Sequence, residues 1–328
     1  MDLLDRLKID HRVAQAGMGN MAPAALAAAV ARAGGLGTIG MCGPSMLPAA
    51  IDRVRQEAPG RAVAANLLMP FARAGHVDAC IKHRVDVVVL AFGGDSALVQ
   101  QLRDAKIMVF ILVGTEEQTR TAFDLWGADG VIAQGNEAGG HLVGRGPARA
   151  FLPAALAIAR GRPVLLAGGI ADAADTRVAL AAGAAAVVAG TRFLLTDESA
   201  AHVEYQRRIM NADKTIETTL FGLGWPAPHR VIPNDATRRW CRPDGTAKAL
   251  PAMINARSAA LARLAPEEPG DGAILRLQRP AFPFFSPAAP TKGVPDHWVE
   301  RSALYAGESA RRIGSVVSAA EAVASLAP

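Results

Sequence analysis

The chain has 328 residues, of which 51% are hydrophobic and 20% charged, and its formal net charge is +5. This composition is typical of a folded protein and excludes a disordered chain, and the length allows one large domain or two ordinary ones. The basic residues are dispersed, with isolated pairs such as Arg207-Arg208 and Arg311-Arg312. A nucleic-acid reader concentrates its basic charge on one face. We therefore expect small-molecule partners and neither nucleic acid nor membrane.

The first thirteen residues, MDLLDRLKIDHRV, carry charges throughout and lack the apolar core of a signal peptide. The apolar stretch 21–31 is too short to span a bilayer. Cys42, Cys80 and Cys241 are widely separated, which suits a reducing compartment and gives no metal-ligand spacing. These features predict a cytoplasmic protein that needs neither a metal nor a disulfide.

Short apolar segments recur between residues 13 and 195 with helical stretches between them. Continuous apolar runs are typical of parallel strands that are buried on both faces. The predicted strands are 13–16, 37–41, 62–67, 85–91, 108–113, 130–134, 163–167 and 185–189.

Helix start and stop signals separate these strands. The helix 23–33 ends at Gly34-Gly35, and the helix 172–182 ends at Gly183. Asp95 is a candidate cap for the helix 96–105. The sequence Thr115-Glu116-Glu117-Gln118 predicts a capping box.

Eight successive strand–helix units predict an α/β fold, a (β/α)8 TIM barrel. An open doubly wound sheet accommodates most of the same units, but the count of eight favours closure. We expect residues 1–200 to form the barrel core. Residues 201–328 should form C-terminal helices and irregular loops that pack on the barrel within the same structural unit. The proline-rich and aromatic stretches 222–236 and 279–298 are either structural cover or walls of the substrate pocket.

Two glycine patterns resemble dinucleotide fingerprints, but their context argues against that function. The pattern GMGNMA at 17–22 follows a strand, yet the second strand offers no acid to hold a ribose. The pattern GLGTIG at 35–40 follows a helix and enters a strand. The first pattern still suits a site where backbone approaches a flat cofactor, because glycine has no Cβ.

A stronger signal comes from Gly168-Gly169 after strand seven and Gly190-Thr191 after strand eight. Glycines at a single strand end are ordinary turns. Loops after the last two strands of a barrel, beside a helix N-terminus, form the usual barrel phosphate site. Together the two loops therefore predict a phosphate site.

His141 is the candidate catalytic residue. It ends the glycine-rich run QGNEAGGH at 134–141, which follows strand six on the same face as the predicted phosphate site. Histidine is the side chain best suited to move a proton near neutral pH. Glu137 and His141 lack a third ligand nearby in sequence, so we expect no metal there.

This run, together with QAGMG at 15–19 and AGGLG at 33–37, resembles the nitronate monooxygenases, formerly called 2-nitropropane dioxygenases. Asn66, AGGI at 167–170, AGTRF at 189–193 and YAGES at 305–309 also resemble that family. The resemblance implies FMN at the carboxyl mouth of the barrel. Quinone reductases and enoyl-acyl-carrier-protein reductases that use FMN are relatives of the same superfamily.

The resemblance also implies roles for individual residues. His141 would face the substrate as a base or as a positive group for an anion. The sequence departs from some relatives at 112–114, where Leu-Val-Gly replaces a region that carries a lysine or glutamine near the flavin. The cofactor contacts that it implies are Gly17, Met18, Gly19 and Asn66 at the flavin ring, Gln134, Gly139 and Gly140 beside the ring or ribityl chain, and Ala167, Gly168, Gly169, Ala189, Gly190 and Thr191 around the phosphate.

The expected reaction is oxidation of an alkyl nitronate or nitroalkane with O₂ to a carbonyl compound and nitrite. The partners would be this small-molecule substrate and O₂ or another acceptor, in a monomer or a homodimer. One alternative is an FMN-dependent NAD(P)H:quinone or enoyl-thioester reductase. A second is a barrel that binds a phosphorylated ligand without redox chemistry.

Overall fold

The computed structural model describes residues 3–258 and 273–328, and its sheet content falls into a barrel and a small second sheet. Most barrel strands are buried along their whole length, as the apolar runs predict. The strands are β1 (Val13–Gln15), β2 (Thr38–Ile39), β3 (Ala64–Leu68), β4 (Val87–Ala91), β5 (Met108–Val113), β6 (Gly130–Gln134), β7 (Gly140–His141), β8 (Val164–Ala167), β9 (Ala186–Ala189), β10 (Ile216–Thr218) and β11 (His229–Val231).

Eight parallel strands pair in the order β1-β9-β8-β6-β5-β4-β3-β2. The two ends of this order meet through a parallel bridge between Ala14 and Leu36, which closes the sheet. The predicted (β/α)8 barrel is therefore confirmed. Strands β5 and β6 have the predicted bounds, and the other barrel strands differ from prediction by at most two residues at either end.

Helices follow the strands and cover the barrel. The Asp95 carboxylate accepts a hydrogen bond from the Leu98 N–H at 2.8 Å, as the predicted cap requires. The Thr115 hydroxyl also caps its helix, but Gln118 binds the Gly114 N–H, so the capping box is incomplete. The helices are α1 (Leu3–Leu7), α2 (Ala24–Arg32), α3 (Leu47–Glu57), α4 (Ala74–Lys82), α5 (Ser96–Asp104), α6 (Glu116–Arg120), α7 (Ala148–Ala159), α8 (Ala173–Ala181), α9 (Thr191–Leu194), α10 (Val203–Met210), α11 (Asp235–Trp240), α12 (Ala249–Arg257), α13 (Ala273–Leu277) and α14 (Ala319–Leu326).

The apolar core divides into an inner and an outer layer around the strands. The inner layer contains inward-facing residues such as Phe110 and Val188, and Leu3 and Leu7 of α1 join it. The outer layer lies between strands and helices and is rich in alanine on α2. Small side chains let that helix approach the sheet closely, which explains the high alanine content of the sequence.

The C-terminal part is more regular than the sequence predicts. Strands β10, β11 and β7 form a three-stranded antiparallel sheet, in which His229 pairs with His141. The stretch 222–236 therefore contains a strand and the first residues of α11, and its interpretation as wholly irregular is wrong. The reason is tertiary pairing: β11 has no partner close to it in sequence except β10, and its second partner comes from the barrel loop.

No helix in the ranges 3–258 and 273–328 combines the length and the apolar character that crossing a membrane requires.

Candidate active site

A cavity of about 260 Å³ lies at the carboxyl ends of the barrel strands. Active sites of this fold occupy the same end, because the strand-to-helix loops converge there. Every residue that the sequence singles out for the site lines this cavity. They are Gly17, Met18, Gly19, Asn66, Gln134, Gly139, Gly140, His141, Ala167, Gly168, Gly169, Ala189, Gly190 and Thr191.

The loops after β8 and β9 present backbone N–H groups to the cavity. Gly168 and Gly169 have φ angles of 118° and 69°, which residues with a side chain rarely adopt. In the described part of the chain, the N–H groups of Gly169, Gly190 and Thr191 have no hydrogen-bond partner. An added Cβ at Gly190 would meet only Ala16 and Met18, both at 3.7 Å. Protein packing therefore does not require glycine at 190, whereas a ligand in the cavity would.

We expected the N-terminus of the nearby helix α8 to contribute to the phosphate site as well. Contrary to this prediction, its first turn is capped by side chains of the chain itself. Asp172 caps α8 by accepting the Asp175 N–H at 3.0 Å. The Asp175 carboxylate in turn accepts the Ala171 N–H and forms ion pairs with Arg149 and Arg312. The first turn of α8 is thus already occupied by carboxylates. An anion in the cavity would have to rely on the glycine-loop amides.

Arg312 connects this corner to the C-terminal part. Its guanidinium donates a hydrogen bond to the Gly169 carbonyl oxygen at 2.8 Å. Burial raises the pKa of Asp175, whereas the Arg312 and Arg149 guanidinium groups and the Ala171 N–H lower it. The pKa of Asp175 is lowered overall, because the Arg312 and Ala171 hydrogen bonds outweigh desolvation. Arg312 therefore fixes the backbone orientation of the second glycine in the loop.

Asn66 and Gly17 form a closely fitted pair on the opposite side of the cavity. A Cβ added at Gly17 would lie 2.3 Å from the Asn66 Cβ, so only glycine fits beside this asparagine. The Asn66 side chain is buried, and its Nδ2 has no hydrogen-bond partner among the described residues. A buried amide donor without a partner costs free energy, and a bound ligand with an acceptor atom would remove that cost.

Gln134 lines the cavity, but its side-chain amide is committed to the loop that follows β6. Its Nε2 donates to the His141 carbonyl oxygen at 3.2 Å, and its Oε1 accepts the Val143 N–H at 2.9 Å. These two bonds join the beginning and the end of the glycine-rich run. Gln134 thereby sets the position of His141.

Glu137 has a structural role at the other side of the same loop. Its carboxylate accepts the Ala148 N–H, at the first residue of α7, at 2.9 Å. A Cβ added to Gly168 would lie 3.1 Å from the Glu137 Cδ, so this acid packs under the glycine loop. Within residues 3–258 and 273–328, no group of three His, Cys, Asp or Glu side chains is arranged to hold a metal.

Aromatic rings surround His141. The Trp225 indole stacks on its imidazole with centroids 3.6 Å apart and planes 13° apart. His229 and Tyr305 lie at centroid distances of 5.0 Å and 5.5 Å, and Phe92 at 6.0 Å. The His141 Nε2 is inaccessible to solvent and has no hydrogen-bond partner among the described residues.

The surroundings of His141 favour its neutral form. Burial lowers the pKa of His141 well below its usual value, and the neighbouring His229 lowers it further. Burial also lowers the pKa of His229 to about 4. His229 Nδ1 donates to the Ala227 carbonyl at 2.9 Å, while its Nε2 accepts the Phe221 N–H at 3.3 Å. Both nitrogens of His229 are thus used, whereas no described residue forms a hydrogen bond to Nε2 of His141.

The segment 305–309 closes the cavity from the C-terminal side. The Gly307 N–H donates to the Thr191 hydroxyl at 3.0 Å, and the Glu308 N–H donates to the Glu137 carbonyl at 2.9 Å. A Cβ added at Gly139 would lie 2.5 Å from the Gly307 nitrogen. This close approach explains why Gly139 is glycine and why the tail motif belongs to the site.

Sequence reasoning missed several cavity residues from the irregular regions: Phe92, Trp225, Pro287 and Ala289. Tyr305 and Ser309 belong to the motif YAGES, which resembles the family but was assigned no contact with the site. Trp225 lies in the stretch 222–236, for which cover and pocket wall were both considered. Its one sequence signal is the pair Gly224 and Pro226 on either side, which predicts a turn that presents a large ring.

A family model described as nitronate monooxygenase matches residues 2–73 and 43–328 of the chain. The chain belongs to the nitronate monooxygenase family. Both the barrel loops and the C-terminal segment that close the cavity lie within the match. Membership of this family argues against a barrel that merely binds a phosphorylated ligand.

Two curated relatives indicate how broad this family is. The chain is 36% identical over 240 residues to (3aS,4S,5R,7aS)-5-hydroxy-7a-methyl-1-oxo-octahydro-1H-indene-4-carboxyl-CoA dehydrogenase from Mycobacterium tuberculosis. That alignment covers 70% of this chain and 65% of the relative, so the chain spans just under two thirds of the relative's length. It is 29% identical over 180 residues to a probable nitronate monooxygenase from Staphylococcus aureus, with 42% of this chain and 50% of the relative covered.

Two solved structures share the fold over nearly the whole chain. FabK from Thermotoga maritima superposes with a TM-score of 0.76 at 28% identity, covering 99% of this chain and 94% of its own. Nitroalkane oxidase from Streptomyces ansochromogenes gives a TM-score of 0.76 at 25% identity, covering 99% and 96%. Both solved structures therefore resemble this chain in the C-terminal part as well as in the barrel.

Proposed function

We propose that the protein is an FMN-dependent enzyme that oxidises alkyl nitronates, and nitroalkanes after deprotonation, to carbonyl compounds and nitrite with O₂. The observation that carries the proposal is the arrangement of the cavity. Unpaired backbone amides lie on one side of it, and the unpaired Asn66 amide on another. His141 also lines it. The similarity to nitroalkane oxidase over 99% of the chain supports the reaction class.

The residues present fit FMN. The amides of Gly169, Gly190 and Thr191 offer several donors to one terminal phosphate, as backbone N–H groups do in anion sites. Asn66 Nδ2 would donate to an acceptor on the flavin ring, which relieves its lack of a partner. Bound FMN would supply the electron-transfer chemistry that the side chains lack.

His141 would act as the base for neutral nitroalkanes. Burial lowers its pKa and favours the neutral imidazole, so the unprotonated ring nitrogen can accept the α-proton of a substrate. His229 cannot take this role, because both of its nitrogens are engaged with backbone groups. A nitronate arrives already deprotonated and would need His141 only for orientation.

The surrounding rings would bind the alkyl part of the substrate and exclude water. Phe92 and Trp225 pack edge to face at 4.8 Å and present apolar surface to the cavity. Leu112 on β5 lies where some relatives carry a lysine or glutamine, so this part of the cavity is apolar as well. An apolar lining favours substrates whose carbon chain is alkyl over substrates whose carbon chain carries a charged group.

The absorbance spectrum and a turnover assay test this proposal directly. We expect the purified protein to be yellow and to release FMN, but not FAD, on heating. It should convert the nitronates of nitroethane and 2-nitropropane to nitrite under air and not under argon. A colourless protein would refute the binding of FMN. A flavin-containing protein that produces no nitrite would refute the oxidation of nitronates.

A second candidate is redox chemistry on a coenzyme A thioester. The observation that favours it is the 36% identity to the CoA-thioester dehydrogenase, which exceeds the 29% identity to a probable nitronate monooxygenase. His141 would act as the base in this reaction too. It would remove a proton from the carbon next to the thioester carbonyl, as it would from the carbon next to a nitro group. Incubation with acyl-CoA and an artificial electron acceptor, and with enoyl-CoA and NADH or NADPH, distinguishes this candidate from nitronate oxidation.

A further inference from the structure

Ser309 is a buried polar residue that lines the cavity and has no part in the function proposed above. It is 4% exposed, and among the described residues its hydroxyl has no hydrogen-bond partner. The hydroxyl of Ser302, which is also buried, instead donates to the Trp298 carbonyl oxygen at 2.7 Å. Buried hydroxyls are rarely left without a partner, because their removal from water costs free energy. The Ser309 hydroxyl is therefore available to a molecule in the cavity.

Two hydrogen bonds fix the turn that contains Ser309 against the loops after β8 and β9. On one side of Ser309, the Gly307 N–H donates to the Thr191 hydroxyl at 3.0 Å. On the other side, the Arg312 guanidinium donates to the Gly169 carbonyl oxygen at 2.8 Å. Ser309 lies between these two anchored residues in a short 3₁₀ helix. It therefore lines the cavity next to the loops whose backbone N–H groups are unpaired.

The charged side chains near this turn are already paired with each other. Arg312 forms ion pairs with Asp172 and Asp175. Glu308 lies 3.6 Å from the Arg230 guanidinium. An anion in this corner of the cavity would therefore depend on neutral donors. A hydroxyl is a strong donor to such a ligand, because a hydrogen bond to an ionised acceptor is about twice as strong as one between neutral groups.

We propose that Ser309 is a further phosphate-binding residue, whose hydroxyl donates a hydrogen bond to the terminal phosphate of FMN. The phosphate site then comprises backbone N–H groups from the barrel loops and one hydroxyl from the C-terminal segment. This assignment rests on the proposed binding of FMN and is independent of the oxidation of nitronates. Riboflavin has the same ring and ribityl chain without the phosphate, so the hydroxyl should favour FMN over riboflavin.

The test compares the affinities for FMN and for riboflavin. Equilibrium dialysis of the purified protein against each flavin gives the two dissociation constants. Ser309→Ala should weaken the binding of FMN about 10- to 100-fold, the usual effect of losing a hydrogen bond to a charged group. It should leave the binding of riboflavin unchanged. Ser315→Ala, at an exposed serine of the same segment, is the matched control and should bind both flavins like the wild type.

The outcomes of this test separate the role of Ser309 from the proposed function. If Ser309→Ala does not fold, as judged by circular dichroism, Ser309→Gly replaces it. Unchanged affinity for FMN, or an equal loss of affinity for both flavins, would overturn the assignment. A wild-type protein that binds neither flavin would refute the proposed cofactor as well. Weaker binding of FMN alone, in a protein that oxidises no nitronate, would support the assignment and refute only the proposed reaction.

Discussion

The barrel part (13–194) and the C-terminal part (195–328) contribute to the same cavity by different means. The barrel part contributes mainly backbone: glycine loops with unpaired amides and one buried asparagine. The C-terminal part contributes rings and single hydrogen bonds, such as Trp225 on His141 and Gly307 to Thr191. Backbone donors recognise any suitable anion, whereas side-chain packing recognises shape. We infer that cofactor binding depends mainly on the barrel part, whereas substrate choice depends on rings from both parts, such as Phe92 and Trp225.

The largest effect should follow from placing a side chain among the backbone N–H groups of the loops after β8 and β9. Gly190→Leu would place a side chain in the cavity next to Ala16 and Met18, where the protein itself leaves room. We expect a folded protein with almost no flavin, measured as the ratio of flavin absorbance to protein. Gly146→Ala, at an exposed glycine with open space around it, is the matched control. Normal flavin content in Gly190→Leu would show that the phosphate does not bind there.

Removing the proposed base should be the next largest effect. His141→Asn should keep its flavin and lose about 10²- to 10⁴-fold in turnover of neutral nitroalkanes, the usual contribution of a general base. Turnover of the matching nitronates should fall much less. His297→Asn, at an exposed position, is the control. Equal small losses on both substrates would leave His141 a packing residue, and loss of flavin would assign the loop to cofactor binding.

Acid should destabilise the C-terminal sheet through His229. Its pKa of about 4 in the folded protein is below the unfolded value near 6.5, so the unfolded state binds the proton more readily. Stability is therefore full above about pH 6.5 and falls as the pH drops toward 4, by about 3 kcal/mol at most. The free energy of unfolding, measured with urea between pH 4 and 7 for the wild type and for His229→Gln, tests this prediction. An equal pH slope in the two proteins would contradict it.

The smallest effect should come from one of the hydrogen bonds between the two parts, the bond from the Gly307 N–H to the Thr191 hydroxyl. Thr191→Val leaves the buried Gly307 N–H without its acceptor, which costs about 1 to 2 kcal/mol. Thr191→Ser keeps the hydroxyl and should behave like wild type. Thermal unfolding of the two variants compares them. A Thr191→Val protein as stable as Thr191→Ser would show that the C-terminal segment does not depend on this bond.

The barrel part could be predicted from the sequence because its signals are local. Each strand is a short apolar run, and the glycines at 168 and 169 mark backbone angles that other residues avoid. The phosphate-site glycines 168, 169 and 190 could be named for the same reason, whereas Asn66 and Gln134 were named only through the resemblance to the family. Trp225 and strand β11 could not, since their positions depend on His141 and on β7, which are about 80 residues away in sequence. The use of Gln134 to hold its own loop was likewise not visible in the sequence.

Few backbone hydrogen bonds connect β1 to the residues that precede β2, where the barrel closes. Neighbouring strands such as β3 and β4 pair over five residues, whereas β1 meets the residues before β2 at one bridge. Two backbone hydrogen bonds between Val13, Gln15 and Leu36, and one from the Thr38 N–H to the Gln15 side chain, hold it together. Gly17 and Gly19 lie in the loop that follows β1 at this junction. A cofactor bound to that loop would therefore also stabilise the barrel at the junction of β1 and β2. Loss of the cofactor would destabilise the barrel at this junction first.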